Sequence, residues 1–156
     1  KWSLYEGGIR QPLLVRWREG IPAGVVDGTT VLGAVDLLPT FCALAGVAPP
    51  AARFDGEDMS AAFRGKSRLR SRPLLWEYGR DEKYIRPGLR HDQSPNLAIR
   101  DGRWKLLMNA DGSGIELYNF QSSMKERDNV ARLHPEIAKR LSGELIAWRR
   151  SLPALP

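Results

Sequence analysis

Between Leu74 and Phe120 the sequence repeats one pattern, a short apolar run followed by a turn rich in glycine. Leu74 to Tyr78 and Leu97 to Arg100 read as strands, and Asp101-Gly102 is a two-residue turn suited to a hairpin. The chain returns over Trp104 to Met108, turns at Asp111-Gly112-Ser113-Gly114 and completes a meander over Ile115 to Phe120. This predicts a small antiparallel sheet of about four strands, a common size. Such a sheet needs a cover for its apolar face, and the sequence supplies one downstream. Pro135 suits the first position of a helix. Glu136 complements the helix's positive end, and Arg149 and Arg150 its negative end. Ile137, Leu141, Leu145, Trp148 and Leu152 form an apolar stripe opposite Lys139, Arg140 and Glu144. The stripe is expected to lie on the face carrying Trp104, Leu106 and Met108, an α+β arrangement. A helix lying in a membrane surface is the competing reading of that stripe.

The first half has another texture. Gln11 to Trp17 is nearly continuous in apolar residues and predicts a strand buried on both faces, as in an α/β sheet. Gly20-Ile21-Pro22-Ala23-Gly24 is a surface turn. A helix then starts at Asp36 as N-cap, with Pro39 in its first turn. Leu37, Leu38, Phe41, Leu44 and Ala45 recur at helical spacing, and Gly46 ends it. Cys42, the single cysteine, falls inside this helix and reads as a small core or boundary residue. Residues 47–72 are rich in loops, with a short helical turn expected at Met59 to Phe63.

Composition narrows the class. With 42% hydrophobic residues and five tryptophans the chain can bury a core, which argues against disorder, and at 156 residues one domain is the default. No apolar run approaches the roughly 20 residues of a membrane span. The net charge of +6 invites a polyanion partner. Yet Arg64, Lys66, Arg68, Arg70 and Arg72 form one basic stretch unaccompanied by zinc-finger spacing, an RNP-type aromatic motif or a helix-turn-helix pattern. The expectation is a solvated basic loop and no nucleic-acid partner.

Residues that carry chemistry are few. Lys1-Trp2-Ser3-Leu4-Tyr5-Glu6-Gly7-Gly8 leads straight into the apolar run, and Gly7-Gly8 permits a tight turn or a close backbone approach. Lys1 on the rim of that turn suits an oxyanion, although the residues alone favour a solvated surface lysine. His91, in Arg90-His91-Asp92-Gln93-Ser94, reads as either a pocket residue or a solvated loop histidine, and His134 as a residue at a helix start. Neither histidine has metal-type spacing. Glu77 has no partner nearby in sequence for acid–base work, and no glycine-rich phosphate cradle is present.

These blocks, in this order, resemble the C-terminal part of the sulfatase family. Lys1 to Pro12 is similar to the lysine and Glu-Gly-Gly segment that closes the family's active site. Val35-Asp36-Leu37-Leu38-Pro39-Thr40 resembles the helix that follows, and Asp55-Gly56-Glu57-Asp58-Met59-Ser60 its next turn. Ala98 to Leu106, Glu116-Leu117-Tyr118-Asn119 and Asp128-Asn129-Val130-Ala131 are similar to the family's terminal sheet and the approach to its last helix.

The resemblance implies a parent enzyme with an alkaline-phosphatase-like α/β fold that hydrolyses the sulfate ester of a small molecule or glycan. Residues 1–72 would finish its large domain, and residues 73–156 would form the smaller sheet-and-helix domain. It implies a formylglycine nucleophile, made from a Cys/Ser-x-Pro-x-Arg motif, beside a divalent cation, usually calcium. This sequence holds neither: Cys42 is followed by Ala43-Leu44-Ala45, and Ser71-Arg72-Pro73-Leu74-Leu75 lacks the final arginine. The family's carboxylate metal ligands precede the lysine block, so no metal ligand is expected here. Lys1 alone carries over as a catalytic, sulfate-binding residue, with His91 a second substrate-binding candidate. Glu6 and Arg10 are assigned to shaping the turn. A chain that opens inside a motif is expected to have lost its start and its N-terminal sulfatase domain, and to be inactive alone. The resemblance allows a periplasmic or extracellular location. A non-catalytic module binding anionic ligands through Arg64 to Arg72, a sulfatase-like protein without its nucleophile, and a phosphohydrolase or phosphonate hydrolase of the same superfamily remain the alternatives.

Overall fold

Alternation along the second half of the chain produces the meander. In the computed structural model, which describes residues 2–81, 83–121 and 125–153, strands β1 (Leu74–Glu77), β2 (Leu97–Asp101), β3 (Trp104–Met108) and β4 (Glu116–Asn119) form one antiparallel sheet in sequence order. Asp101 pairs with Trp104, so the two-residue hairpin turn is Gly102-Arg103, one position later than expected.

The sheet is covered on both faces. On one, Leu97, Ile99, Trp104, Leu106, Met108 and Leu117 pack against Ala138, Leu141 and Leu145 of the C-terminal helix α4 (Pro135–Ser151), as the stripe predicts. On the other, Ala98, Leu107, Tyr118 and Phe120 pack with Leu4, flanked by Tyr5 and Ile9 from the start of the chain. Strand β3 is consequently buried at every position, although its sequence suggests only one buried face. Each such apolar side chain contributes roughly 1.5–3 kcal/mol when fully buried.

The chain divides into two compact units, Lys1–Gln11 with Pro73–Pro156, and Pro12–Arg72. The chain's first eleven residues therefore group with the sheet, not with the segment that follows them.

In the second unit, α2 (Leu37–Ala45) follows a 3-10 turn at Ala34–Asp36 and ends at Gly46, and α3 (Ser60–Phe63) is the expected short turn. Asp36 does not cap α2 through its side chain. It is fully buried, accepting hydrogen bonds from the Gly33 and Glu57 N–H groups at 2.7 and 2.8 Å and pairing with Arg70. Glu57 accepts from the Ser71 hydroxyl at 2.7 Å and the Arg72 N–H at 2.9 Å. Its burial alone would raise its pKa. The Ser71 hydroxyl, the Arg72 and Ser71 N–H groups and the Arg70 charge together hold the carboxyl below its ordinary range.

Two expectations are corrected here. The basic stretch is not uniformly solvated: Arg70 is nearly buried against Asp36 and Glu57, and Arg72 donates to the Phe54 and Gly56 carbonyls. A local reading could not see acids supplied from far along the chain. Residues 12–17 form no strand, and Leu13, Leu14, Val15 and Trp17 are exposed. A strand requires a pairing neighbour, and no described segment supplies one.

Candidate functional site

Lys1 lies outside the described residues, but the segment attached to it is fixed in detail. Trp2 has φ 63, the only positive value at a described non-glycine residue, a conformation costing roughly 1–3 kcal/mol that the surroundings must enforce. Ser3 and Leu4 are buried, and the Leu4 N–H donates to Ser94 Oγ at 2.7 Å. The chain then makes the single helical turn α1 (Glu6–Ile9). A Cβ on Gly8 would stand 2.1 Å from the Ser3 carbonyl oxygen, whereas one on Gly7 would meet nothing within 4 Å. Only the second glycine is demanded by close approach.

What holds this turn is a buried lysine. Lys105, at the centre of β3 and fully buried, donates from Nζ to the Leu4 carbonyl at 2.7 Å and to Glu6 Oε1 at 2.9 Å. Glu126 Oε1 stands 2.8 Å from the same ammonium as an ion pair, without hydrogen-bond geometry. Glu126 Oε2 in turn accepts the Glu6 N–H at 2.5 Å, and Arg100 stands 3.6 Å from Glu6 Oε2. Burial pushes the Glu126 carboxyl above its ordinary pKa, opposed by the Lys105 charge. Beside this cluster Tyr5 and Tyr118 both donate to Glu116, Tyr118 at 2.9 Å. Burial, then the Glu116 charge, raises both phenols well above the usual tyrosine value, so they stay neutral donors.

The other sequence candidates fall away from this cluster. His91 is in a 3-10 turn, its side chain 76% exposed and 3.6 Å from Asp92, and it is not among the residues lining the cleft beside Trp2. Its neighbours Gln93 and Ser94 do line one. His134 precedes α4 and meets Trp104 edge-on, ring centroids 4.8 Å apart. Glu77 accepts from Arg149 at 2.9 Å, which makes it a tie between β1 and α4. Among the described residues no group of three or more His, Cys, Asp and Glu side chains could hold a metal ion, and no helix is long and apolar enough to cross a membrane. Sequence reasoning missed Lys105 and Glu126 as members of the site. The only local signal was a lysine in a strand that is otherwise apolar.

Comparison with known proteins decides the family. The sequence model for "N-sulphoglucosamine sulphohydrolase, C-terminal" matches residues 1–151. The chain belongs to this sulfatase family. It is 24% identical over 160 residues to a sulfatase of Formosa agariphila, covering 95% of this chain and 28% of that protein. It is 31% identical to the delta 4,5-hexuronate-2-O-sulfatase of Bacteroides thetaiotaomicron, covering 75% of this chain and 23% of the relative. Human arylsulfatase A is 31% identical over 72% of this chain and 20% of its own length. A solved 2-O GAG sulfatase superposes with a TM-score of 0.53 at 27% identity, over 76% of this chain and 26% of that one. This sulfatase C-terminal region therefore spans less than a third of each of these relatives.

Proposed function

We propose that the chain contributes an oxyanion-binding lysine to a sulfate-ester hydrolase whose nucleophile and metal lie in other residues of the whole protein. One observation carries this reading: the segment attached to Lys1 is pinned by hydrogen bonds from Lys105 to the Leu4 carbonyl and Glu6 and from the Glu6 N–H to Glu126, with Glu126 also paired in charge to Lys105. Such fixation costs side-chain entropy and buried charge, an expense suited to a segment whose position matters. Lys1 then places a cation where sulfate oxygens and a leaving oxygen carry charge, and a preorganised cation stabilises that charge without reorganising.

The residues described do not fit the family's other two components. Cys42 is buried in α2 without the Cys/Ser-x-Pro-x-Arg context, and no described acids cluster for a cation. The chain alone accordingly has no route to covalent catalysis. Residues 1–72 finish the parent's large α/β domain, where the exposed Leu13, Leu14 and Val15 leave apolar surface to cover, and sulfated saccharides are the substrate class. The printed activities of relatives, a hexuronate-2-O-sulfatase and an N-acetylgalactosamine-6-O-sulfatase, support that class. Commitment of Arg70 and Arg72 to internal partners weighs against an anion-binding module built on that loop.

The test is steady-state hydrolysis of 4-nitrophenyl sulfate. Lys1→Ala in the full-length protein is expected to lose about 10²–10³-fold in turnover, the usual cost of one such electrostatic contact. The isolated chain with added calcium is expected to release no nitrophenol. Wild-type turnover in Lys1→Ala, or turnover by the isolated chain, overturns the assignment.

A further inference from the structure

Within the sheet unit, a cleft of about 350 Å³ opens beside Trp2. That volume is at the lower end of the range for small-molecule sites. Tyr78 and Tyr84 meet edge-on in its wall, centroids 5.4 Å apart, and the Arg86 guanidinium lies 4.7 Å from the Tyr84 ring centre. Asn96, Asn109 and Glu116 add polar groups.

The wall is built, not incidental. The Tyr78 hydroxyl donates to the Ile85 carbonyl at 2.9 Å, and Asn96 donates to the Tyr78 carbonyl at 3.1 Å. Gly79 has φ 85, and a Cβ there would stand 2.5 Å from the Tyr84 ring, so the ring keeps its place only over a glycine. Among the described residues the Arg86 guanidinium is matched to a ring and to no carboxylate.

We infer that this cleft is a saccharide subsite in which Arg86 reads an anionic substituent of the sugar. Apolar ring faces take the C–H side of a pyranose, amides and a carboxylate take its hydroxyls, and a guanidinium takes a sulfate or carboxylate in two-pronged fashion. Its location adds a second argument. Trp2 lines the cleft and is bonded to Lys1, and Ser94, which also lines it, holds the Leu4 N–H. A sugar seated here therefore lies one residue along the chain from the lysine proposed to bind the ester. The inference rests on the sulfatase reading and names the part of the substrate beyond the ester.

The experiment compares Arg86→Gln with wild type in the full-length enzyme. The probes are 4-nitrophenyl sulfate, N-acetylgalactosamine 6-sulfate and a disaccharide bearing an unsaturated 2-O-sulfated uronate. Arg86→Gln is expected to raise KM for at least one saccharide about tenfold or more beyond any change for the aryl sulfate, the scale of one lost charged hydrogen bond. Lys83→Gln, the same change of charge in the same exposed loop but away from the cleft, is the control and should leave the ratio of the two KM values unaltered. An unchanged saccharide KM in Arg86→Gln overturns the subsite, as does an enzyme that hydrolyses the aryl sulfate but binds neither saccharide. If wild type hydrolyses none of the three, the sulfatase reading falls first and takes the subsite with it.

Discussion

The two adjacent glycines of the Lys1 segment separate cleanly when each is given a Cβ. At Gly8 the added carbon overlaps the Ser3 carbonyl, backbone against backbone, whereas Gly7 has open space. Gly8→Ala is therefore expected to displace the segment and cut activity of the full-length enzyme, while Gly7→Ala leaves it near wild type. Equal activities in the two variants would show that the close approach does not matter. Lys105 yields a prediction with a pH signature. Lys105→Met leaves the largely covered Glu126 without its cation and Glu6 with only Arg100, 3.6 Å away, at a cost of about 3–5 kcal/mol near neutral pH. Losing the cation raises the folded-state pKa of Glu126 further above the unfolded value of roughly 4.3. A raised folded pKa gives stability that is complete below the unfolded value and lost as pH rises through the folded one. Urea midpoints of the variant should consequently fall more steeply than those of the wild type between mildly acid and neutral pH, and parallel profiles would refute the account. Near Lys105 the sequence offers only its place in an otherwise apolar strand, which does not name its partners. Alternation in Trp104-Lys105-Leu106 reads as one residue facing solvent, and its partner Glu6 is 99 positions away. The Gly7-Gly8 pair could be singled out from the sequence because the Ser3 carbonyl that Gly8 meets is close along the chain, whereas Lys1 was reached through the resemblance of its segment to the family's.

At the scale of elements, the C-terminal helix tests whether its stripe carries stability. Leu141 is fully buried between α4 and the sheet, so Leu141→Ala should cost ~2–5 kcal/mol in urea unfolding of the chain. Lys139→Ala, on the outer face, should shift the midpoint little, and equal midpoints would mean the stripe is not packed. The meander and this helix were legible because turn chemistry and periodicity are both short-range signals. The run from Gln11 to Trp17 was not, since a buried strand is defined by the neighbour that pairs with it. The basic stretch misled for the same reason: Arg70 is matched to Asp36, 34 positions earlier, and a charge run shows nothing of distant acids.

For the whole molecule, the sheet unit is discontinuous in sequence: Lys1–Gln11 belongs with Pro73–Pro156, and Pro12–Arg72 forms the other unit. The default of one domain from length alone misses this division, because length carries no information on where the chain doubles back. The discontinuity has a consequence in time. The Leu4 carbonyl meets Lys105 across 101 positions, and the Glu6 N–H meets Glu126 across 120. A ribosome adding about 5–20 residues per second needs roughly 6–24 s to make that last stretch. During synthesis the segment next to Lys1 is therefore made before the residues that seat it, so the final step in building its part of the site is the arrival of Glu126, not the translation of the lysine.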